Sequence, residues 1–198
     1  MICTTMKQLL QEIHNCRLCE QHLEHGVNPV IAASAASSIV IIGQAPGSIV
    51  HKTGIPWNDK SGDTLRNWMG VNKEQFYDTG IFALVPMGFC YPGKGRSGDL
   101  PPRAECAPAW HAKILAQLEN VKLILLIGQY AQNYYLQDKA MPTLTDTVRN
   151  FENYLPRYLP LPHPSPRNNI WQAKNKWFTT DVLPVLAQKI STVMDKSL

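Results

Sequence analysis

Two segments far apart in the chain are rich in glycine and proline and carry polar side chains. The first turn segment comprises residues 43–47 (Gly-Gln-Ala-Pro-Gly) and 54–62 (Gly-Ile-Pro-Trp-Asn-Asp-Lys-Ser-Gly), and the second turn segment is residues 163–168 (His-Pro-Ser-Pro-Arg-Asn). Backbone amides in such turns approach a flat ligand closely, because glycine has no side chain in the way. The first segment alone is more typical of a simple turn between a strand and a helix. The two together favour a binding site.

The chain also carries an odd number of thiols, with five cysteines at Cys3, Cys16, Cys19, Cys90 and Cys106. No apolar run approaches the roughly 20 residues of a membrane span, and the first residues do not form a basic region followed by a long apolar stretch. We therefore expect a cytoplasmic protein that does not bind a membrane. A reducing compartment argues against structural disulfides and leaves metal binding, catalysis or simple burial as roles for the thiols.

Short apolar runs predict the strands that must position these residues. Residues 38–43, 81–85 and 121–127 are rich in β-branched and aliphatic side chains, which is typical of strands buried on both faces. Residues 158–162 contain two prolines and predict a short edge strand that delivers His163 to the rim of the sheet. Ligands bind at the carboxyl ends of parallel strands, so we expect the two turn segments to meet at that rim.

Helical spacing separates the predicted strands. Met6, Leu9, Leu10 and Ile13 predict an amphipathic helix before the first strand. Ser61 is a candidate cap for a helix that buries Leu65, Trp68 and Met69. Further helices are expected at 105–118, from 131 onwards, after a cap at Thr143 or Thr145, and over the last 25 or so residues, which bury Val182, Leu183, Leu186 and Ile190.

Alternating strands and helices predict an α/β fold, a three-layer sandwich with a central, mostly parallel four-stranded sheet. The chain has 198 residues, and no linker divides it, so we expect one domain over residues 1–198. With 44% hydrophobic and 17% charged residues, it is neither disordered nor fibrous. The net charge of +4 says little by itself. Five basic residues and one acid lie between 149 and 176, which is consistent with a nucleic-acid surface or with an ordinary solvated one.

The motifs in both turn segments resemble those of the uracil-DNA glycosylase superfamily. That family has a strand leading into Gly-Gln/Glu-Asp/Ala-Pro and then Gly-x-Pro-aromatic, matched here by residues 43–47 and 54–57. Its last motif is His-Pro-Ser-Pro, matched by residues 163–166, and residues 125–131 resemble a strand-Gly-x-x-Ala segment that most members share. The resemblance spans nearly the whole chain and implies the fold predicted above.

This resemblance also implies roles for individual residues. Trp57 matches the aromatic side chain, usually Phe, that stacks on the extruded base, and His163 matches the histidine that donates toward O2 of uracil. The remaining base-binding positions and the positions expected to meet DNA are Gly43, Ala45, Pro46 and Gly47, and Ser165, Arg167 and Asn168. Base extrusion costs a few kcal/mol, which stacking offsets.

The first motif departs from the family pattern because it contains no acid. Gln44 and Ala45 stand where active members commonly place the Glu or Asp that helps to form the nucleophile. Gln44 can orient a water by hydrogen bonding but cannot act as a general base at neutral pH. Asp59, beside Trp57, is the candidate substitute if its loop folds inward.

A second departure follows Cys90. The iron–sulfur branch of the family has an Asn in this loop that contacts the base, and here about Gly95 replaces it. We therefore expect the pocket to admit another lesion or a bulkier base. Lys94 and Arg96, on either side of that glycine, are candidates to bind phosphate instead.

The cysteine spacing is similar to that of the iron–sulfur glycosylases called family 4. Cys16 and Cys19 form a C-x-x-C before the first strand, and Cys90 and Cys106 follow the second strand. Four thiolates from two distant segments suit a four-iron four-sulfur cluster or, alternatively, a tetrahedral zinc ion. Cys3 falls outside this pattern and is expected to be a free thiol.

The resemblance implies a monomeric base-excision repair enzyme that hydrolyses the N-glycosidic bond of uracil or a related deaminated base in DNA. Because the first motif lacks an acid, the alternative is a catalytically impaired member that binds damaged or single-stranded DNA without cleavage. An unrelated nucleotide-binding module is disfavoured, because the chain has neither a phosphate-binding loop sequence nor the spacing of a dinucleotide fingerprint.

Overall fold

A computed structural model describes residues 5–96 and 98–195. Its central sheet has the strand order β2-β1-β5-β6, and all three pairings are parallel. A separate antiparallel ribbon pairs β3 with β4. The strands are β1 (Ile39–Ile42), β2 (Phe82–Leu84), β3 (Lys94–Gly95), β4 (Gly98–Asp99), β5 (Leu123–Ile127) and β6 (Tyr158–Leu161). The predicted four-stranded sheet is confirmed.

Alternate residues of each strand face opposite layers, so both faces of the sheet are buried. On one face, strand residues pack with the helices before β1 and on either side of β5: Val40, Ile42, Ile124 and Leu126 with Met6, Leu9, Ile13, Ile114 and Ala131. On the other face the strands pack against the helix Lys60–Met69, the helix Leu183–Asp195 and the turn before the latter. The strand residues Ile39, Ile41, Leu125 and Ile127 contact a layer formed by Leu65, Met69, Phe178, Val182 and Leu186. Full burial contributes about 1.5–3 kcal/mol for each such side chain, which stabilises the predicted three-layer arrangement.

The described helices agree in position with most of those predicted. They are α1 (Met6–His14), α2 (Ser48–Thr53), α3 (Lys60–Met69), α4 (Lys73–Phe76), α5 (Cys106–Ala116), α6 (Gln129–Leu136), α7 (Leu144–Arg149), α8 (Asn169–Lys174) and α9 (Leu183–Asp195). A π-helical turn, Phe178–Val182, leads into α9. The short helix α2 was not predicted, because residues 48–53 carry no helical apolar stripe longer than one turn.

The start of α3 corrects a prediction. Ser61 lies inside the first turn of α3, and Asp59 is the capping residue, with its Oδ1 accepting a hydrogen bond from the Gly62 amide at 2.9 Å. Both residue types cap helices well, so composition did not decide between them. At α7 the cap is Thr143, and Thr145 instead accepts a hydrogen bond from the Trp171 indole at 2.8 Å.

The last strand lies at the edge of the sheet, as its prolines predicted. Pro160 of β6 is the neighbour of Leu126, and the opposite side of β6 has no partner strand within the described sheet, so a missing amide proton is tolerated there. Gln132 of α6 is buried, and its Nε2 donates to the carbonyl oxygens of Leu126 and Leu161 at 3.3 and 2.9 Å. These bonds hold together the ends of β5 and β6, from which the second turn segment begins.

Candidate active site

A cavity of about 630 Å³ opens at the carboxyl edge of the sheet. Its walls come from the segments that follow β1, β2, β5 and β6 and from the β3–β4 ribbon. The lining residues are Val30, Gly43, Gln44, Ala45, Pro46, Gly47, Val50, Pro56, Trp57, Asp59, Ser61, Pro86, Gly98, Asp99, Tyr130, His163, Ser165, Pro166, Arg167 and Asn168. The two turn segments therefore meet at the rim where the sequence placed them.

Every predicted catalytic and base-binding residue lines this cavity, and so do Ser165, Arg167 and Asn168 from the predicted DNA-contacting set. Lys94 and Arg96 do not reach the lining. Lys94 lies on β3 and Arg96 on the turn that follows it, and both side chains are exposed. The structure thus places these two cations on the ribbon beside the cavity mouth.

Contacts to its backbone help to hold Trp57 in place. It has a φ of 56°, in the left-handed region that a bulky residue rarely adopts. The buried Arg66 donates to the Trp57 carbonyl at 3.4 Å and pairs with Asp63 at 2.6 Å. A Cβ on Gly62 would overlap the same carbonyl oxygen, so α3 approaches this turn closely because residue 62 is glycine. These contacts over-determine a strained backbone, which is typical of functional turns.

The indole of Trp57 lies flat against the start of the first turn segment. A Cβ added to Gly43 would lie 2.6 Å from Cζ2 of Trp57, so the ring covers the glycine backbone. The Gly43 and Gln44 carbonyls accept hydrogen bonds from the amides of Met87 at 2.8 Å and Gly88 at 3.0 Å, which fix this loop to the segment after β2.

Trp57 and His163 lie side by side, with ring centroids 5.9 Å apart and an angle of 31° between the planes. Stacked bases lie about 3.4 Å apart, so a base held between two rings needs a gap of about 7 Å. The two rings as they stand are therefore too close together to hold a base between them. The cavity extends beside the pair, so a base has room against one ring face with the other ring at its edge.

His163 is partly buried at the end of β6, and the Asn168 side chain donates to its backbone carbonyl at 2.6 Å. Burial lowers the pKa of His163 below its ordinary value, and the carboxylates of Asp59 and Asp99 oppose this shift. The imidazole is therefore neutral at pH 7 and has one N–H to donate.

Two carboxylates approach the first turn segment from different elements. The Oδ2 atoms of Asp59 and Asp99 lie 3.9 and 3.6 Å from the position that a Cβ would take on Gly47. Asp59 comes from the start of α3 and Asp99 from β4. Asp99 was not predicted as a site residue. It lies between the two motifs in the sequence, far from both, and its strand is too short to show periodicity.

The second turn segment contacts the β3–β4 ribbon. A Cβ on Gly98 would overlap Nη1 of Arg167, so the guanidinium lies over the ribbon backbone at the cavity mouth. Tyr130, at the start of α6, is an exposed aromatic residue that also lines the cavity and was not predicted. The Gly-x-x-Ala segment in which it lies was the only sequence signal for it.

A second, much smaller cavity of about 20 Å³ brings four cysteines together. Its lining includes Cys16, Cys19, Cys90 and Cys106, together with Arg103, and all four thiols are reduced. Among the described residues, no group of three or more His, Cys, Asp or Glu side chains is arranged to hold a metal ion. Cys3 lies outside the described residues.

The surroundings of these thiols disfavour the thiolate when no cation is present. Burial raises the pKa of Cys106 to about 12 and that of Cys90 to about 11, and the neighbouring thiols raise both further. Burial also raises the pKa of Cys19, with Glu105 adding to the effect. Nε of Arg103 is buried without a hydrogen-bond partner in the described structure. The four thiols and the Arg103 side chain border one small cavity, but the thiols are not arranged as metal ligands in the described structure. Their chemistry is that of the ligands that iron–sulfur clusters and zinc take.

No helix in the described part of the chain is long and apolar enough to cross a bilayer.

The fold and the cavity define a parallel α/β protein with a cavity at the carboxyl edge of its sheet, walled by an indole, an imidazole and glycine-rich backbone. The chain belongs to the uracil DNA glycosylase superfamily, whose family model matches residues 31–187. It is also similar to the type-4 uracil-DNA glycosylase of Thermotoga maritima, with 26% identity over 167 residues that cover 81% of each chain. The resemblance stated from the motifs is thereby confirmed.

Proposed function

We propose that this protein is a base-excision repair glycosylase that hydrolyses the N-glycosidic bond of uracil or a related deaminated base in DNA. The observation that carries the proposal is the meeting of Trp57 and His163 in one cavity at the rim of the sheet, in a chain that belongs to this superfamily. Both side chains come from motifs that were identified independently along the sequence.

Base recognition begins with extrusion of the damaged nucleotide into the cavity. Unpairing and unstacking cost a few kcal/mol. Stacking on an aromatic side chain returns about 1–3 kcal/mol for each base, and Trp57 is the ring that supplies it. The backbone of Gly43, Ala45, Pro46 and Gly47 lines the floor on which the base would lie.

His163 stabilises the leaving base. As the glycosidic bond breaks, negative charge grows on the O2 atom of the base, and a neutral imidazole N–H donates to it. Burial already favours the neutral form of this histidine. A preorganised donor of this kind contributes about 2.7–4 kcal/mol, or 10²–10³-fold in rate.

Gln44 orients the attacking water, since its side chain can both donate and accept but cannot take a proton. Two carboxylates near Gly47, those of Asp59 and Asp99, line the cavity, and Asp59 is the one expected from its motif to substitute for the missing acid. Its Oδ1 atom is engaged in capping α3, which leaves Oδ2 for a water.

The DNA backbone would cross the cavity mouth over the second turn segment and the ribbon, which contact each other there. The second turn segment supplies Ser165, Arg167 and Asn168, and the ribbon and its turn supply Lys94 and Arg96. Contacts from these side chains to phosphate position the strand without reading its sequence.

A four-iron four-sulfur cluster held by Cys16, Cys19, Cys90 and Cys106 completes the proposal, with zinc as the alternative. Such a group, when bound, supplies structural order rather than chemistry at the base. Here the four residues would tie the segment after α1 to both ends of the loop that carries the β3–β4 ribbon. Reduced thiols and a DNA substrate are consistent with a cytoplasmic protein, which we expect to act as a monomer.

The test is release of free base from labelled oligonucleotides that contain a single uracil, hypoxanthine or xanthine, in single-stranded and duplex form, with no added magnesium. We expect release of at least one of these bases, reduced about 10²–10³-fold by His163→Ala. The matched control is Lys7→Ala, on the exposed face of α1, which should retain the wild-type rate.

The comparisons do not support the alternative of a member that binds DNA without cleavage. Tight binding to a uracil-containing strand with no release of any of the three bases over several hours would decide for that alternative. Neither binding nor release would show that the cavity serves another ligand.

A further inference from the structure

The first motif, residues 43–47, holds no acid, but the structure places a carboxylate beside it from another element. Asp99 lies on β4 of the ribbon, and its Oδ2 is 3.6 Å from the position of a Cβ on Gly47. The Gln44 side chain donates to the carbonyl of Leu100, the residue after Asp99, at 3.4 Å. The ribbon is therefore joined to the first motif at the side chain that replaces its acid.

From these contacts we infer that Asp99 is the catalytic carboxylate of this enzyme, taking the proton of the water that attacks the sugar. This inference rests on the proposed glycosylase function. It assigns the role of the missing first-motif acid to a residue that reaches the site from the segment between Cys90 and Cys106.

The residues that line the cavity can carry out the hydrolysis without a further reactant besides water. The oxygen of water bonds to C1′ of the deoxyribose as the C1′–N bond breaks, and the bonding electron pair leaves with the base, whose O2 lies toward His163. One proton of the water passes to the Asp99 carboxylate. The products are an abasic sugar with a hydroxyl on C1′ and the base anion, which is then protonated by solvent.

The depth of the two functional groups in the cavity agrees with this division of labour. Trp57 and His163 are partly buried, where the base would lie, whereas Asp99 is exposed at the mouth, where the sugar and phosphates remain. A sugar that loses its base develops positive charge, which a nearby carboxylate stabilises. A donor at the base and an anion at the sugar match the charges that form in the transition state.

Asp99 is better suited to this role than Asp59. Asp59 is fixed as the cap of α3 through Oδ1, so one of its oxygens is already committed. Asp99 accepts a hydrogen bond from the Tyr91 hydroxyl at 3.5 Å, which is long. The other ionisable groups that face it are Asp59, His163 and Arg167.

The experiment compares Asp99→Asn and Asp59→Asn in single-turnover release of base from a uracil-containing single strand, with Asp138→Asn, an exposed change far from the cavity lining, as control. Asparagine keeps the size of aspartate and caps helices equally well, so α3 is preserved in Asp59→Asn. We expect Asp99→Asn to lower the rate by about 10²–10⁴-fold. We expect Asp59→Asn to lower it by less, and Asp138→Asn to leave it unchanged.

Rescue by the conservative variant and binding to uncleaved DNA separate a catalytic role from a structural one. Asp99→Glu should recover part of the lost rate. Binding to uncleaved DNA should be the same in all of these variants within a few fold.

Three results overturn the inference. An Asp99→Asn rate within threefold of wild type does so directly, and so does a larger loss in Asp59→Asn, which assigns the role to Asp59. In both cases the glycosylase function itself stands, because the wild type is active. Absence of release by the wild type on every substrate overturns the proposed function and this inference together.

Discussion

The ring centroid of Trp57 lies 5.9 Å from that of His163, although the two residues are 106 positions apart in the sequence. Each is placed by its own backbone: Trp57 by the Arg66 hydrogen bond to its carbonyl, and His163 by the Asn168 hydrogen bond to its carbonyl. Neither ring depends on the other for its position. Substitutions at one should therefore leave the other in place, which makes their separate contributions measurable.

Replacing Trp57 by alanine should weaken binding to uracil-containing DNA about 5- to 150-fold, because about 1–3 kcal/mol of stacking is lost. Trp57→Phe should lose much less, since phenylalanine keeps a stacking face. Fluorescence anisotropy with a labelled strand, in a His163→Ala background that suppresses turnover, measures both. If Trp57→Ala binds as tightly as its parent, the indole is only a packing element.

Gly43→Ala should displace the indole and destabilise the fold by about 1–3 kcal/mol, because its Cβ would meet the ring at 2.6 Å. Combining it with Trp57→Phe should recover part of that stability, since the smaller ring leaves space over residue 43. Urea denaturation of the two single variants and the double variant gives the coupling energy. Simple additivity would contradict the contact.

Arg167→Ala should weaken binding to all DNA sequences alike and reduce the salt dependence of the affinity by about one phosphate contact. The reason is that Arg167 lies over the ribbon at the cavity mouth, where the strand would pass. Binding titrations at several salt concentrations give the slope, and Lys7→Ala provides the matched loss of one charge. Equal slopes in wild type and Arg167→Ala would exclude the contact.

The buried His111 predicts acid destabilisation. Its ring lies between the Tyr135 hydroxyl and the Pro86 carbonyl, 2.6 and 3.0 Å away, and burial lowers its pKa to about 4. Because an unfolded histidine titrates near 6.5, the folded state keeps full stability above that pH and loses it as the pH falls from 6.5 toward 4. The steepest loss is about 1.4 kcal/mol per pH unit.

Urea midpoints measured across this pH range test the assignment to His111. The variant His111→Gln should show a flatter dependence between pH 6.5 and 4 than wild type, whatever its absolute stability. The exposed His14→Gln variant should keep the wild-type slope. An unchanged slope in His111→Gln would show that other groups cause the acid sensitivity.

Anaerobically purified protein should contain about four iron atoms per chain and absorb near 400 nm, if the four cysteines hold the proposed cluster. Cys90→Ser should lose both signals and lower the thermal midpoint, because the ends of the ribbon-bearing loop are then untied. Cys3→Ser should change neither. One zinc in place of iron would select the alternative metal, and protein without either metal, with a normal thermal midpoint, would exclude a bound group.

Much of the scaffold could be predicted because its strands are apolar on both faces. The runs around Ile39, Phe82 and Leu123 are apolar throughout, which is typical of strands buried on both faces. The prolines of β6 predicted its position at the edge of the sheet. Capping was harder, since Asp59 and Ser61 satisfy the same rule two residues apart and only the backbone angles decide.

Site residues that belong to sequence motifs were predicted. Those that reach the site only through contacts between segments distant in the sequence were missed. Trp57 and His163 lie in segments that follow β1 and β6, and the carboxyl ends of parallel strands lie at the same edge of the sheet. Asp99 lies on a ribbon of two-residue strands, which leaves no periodic signal in the sequence. The left-handed backbone at Trp57 could not be predicted either, because its residue type disfavours that conformation.

The loop that carries Asp99 leaves the body of the protein at Cys90 and returns at Cys106, and both of these residues border the same small cavity. The two ends of this loop therefore lie close together. Exchange of its tip for a longer or shorter one that keeps Asp99 would leave the strands of the central sheet and the Trp57 turn in place. The tip of this loop is therefore a single segment whose replacement should change the range of damaged bases that the proposed enzyme accepts.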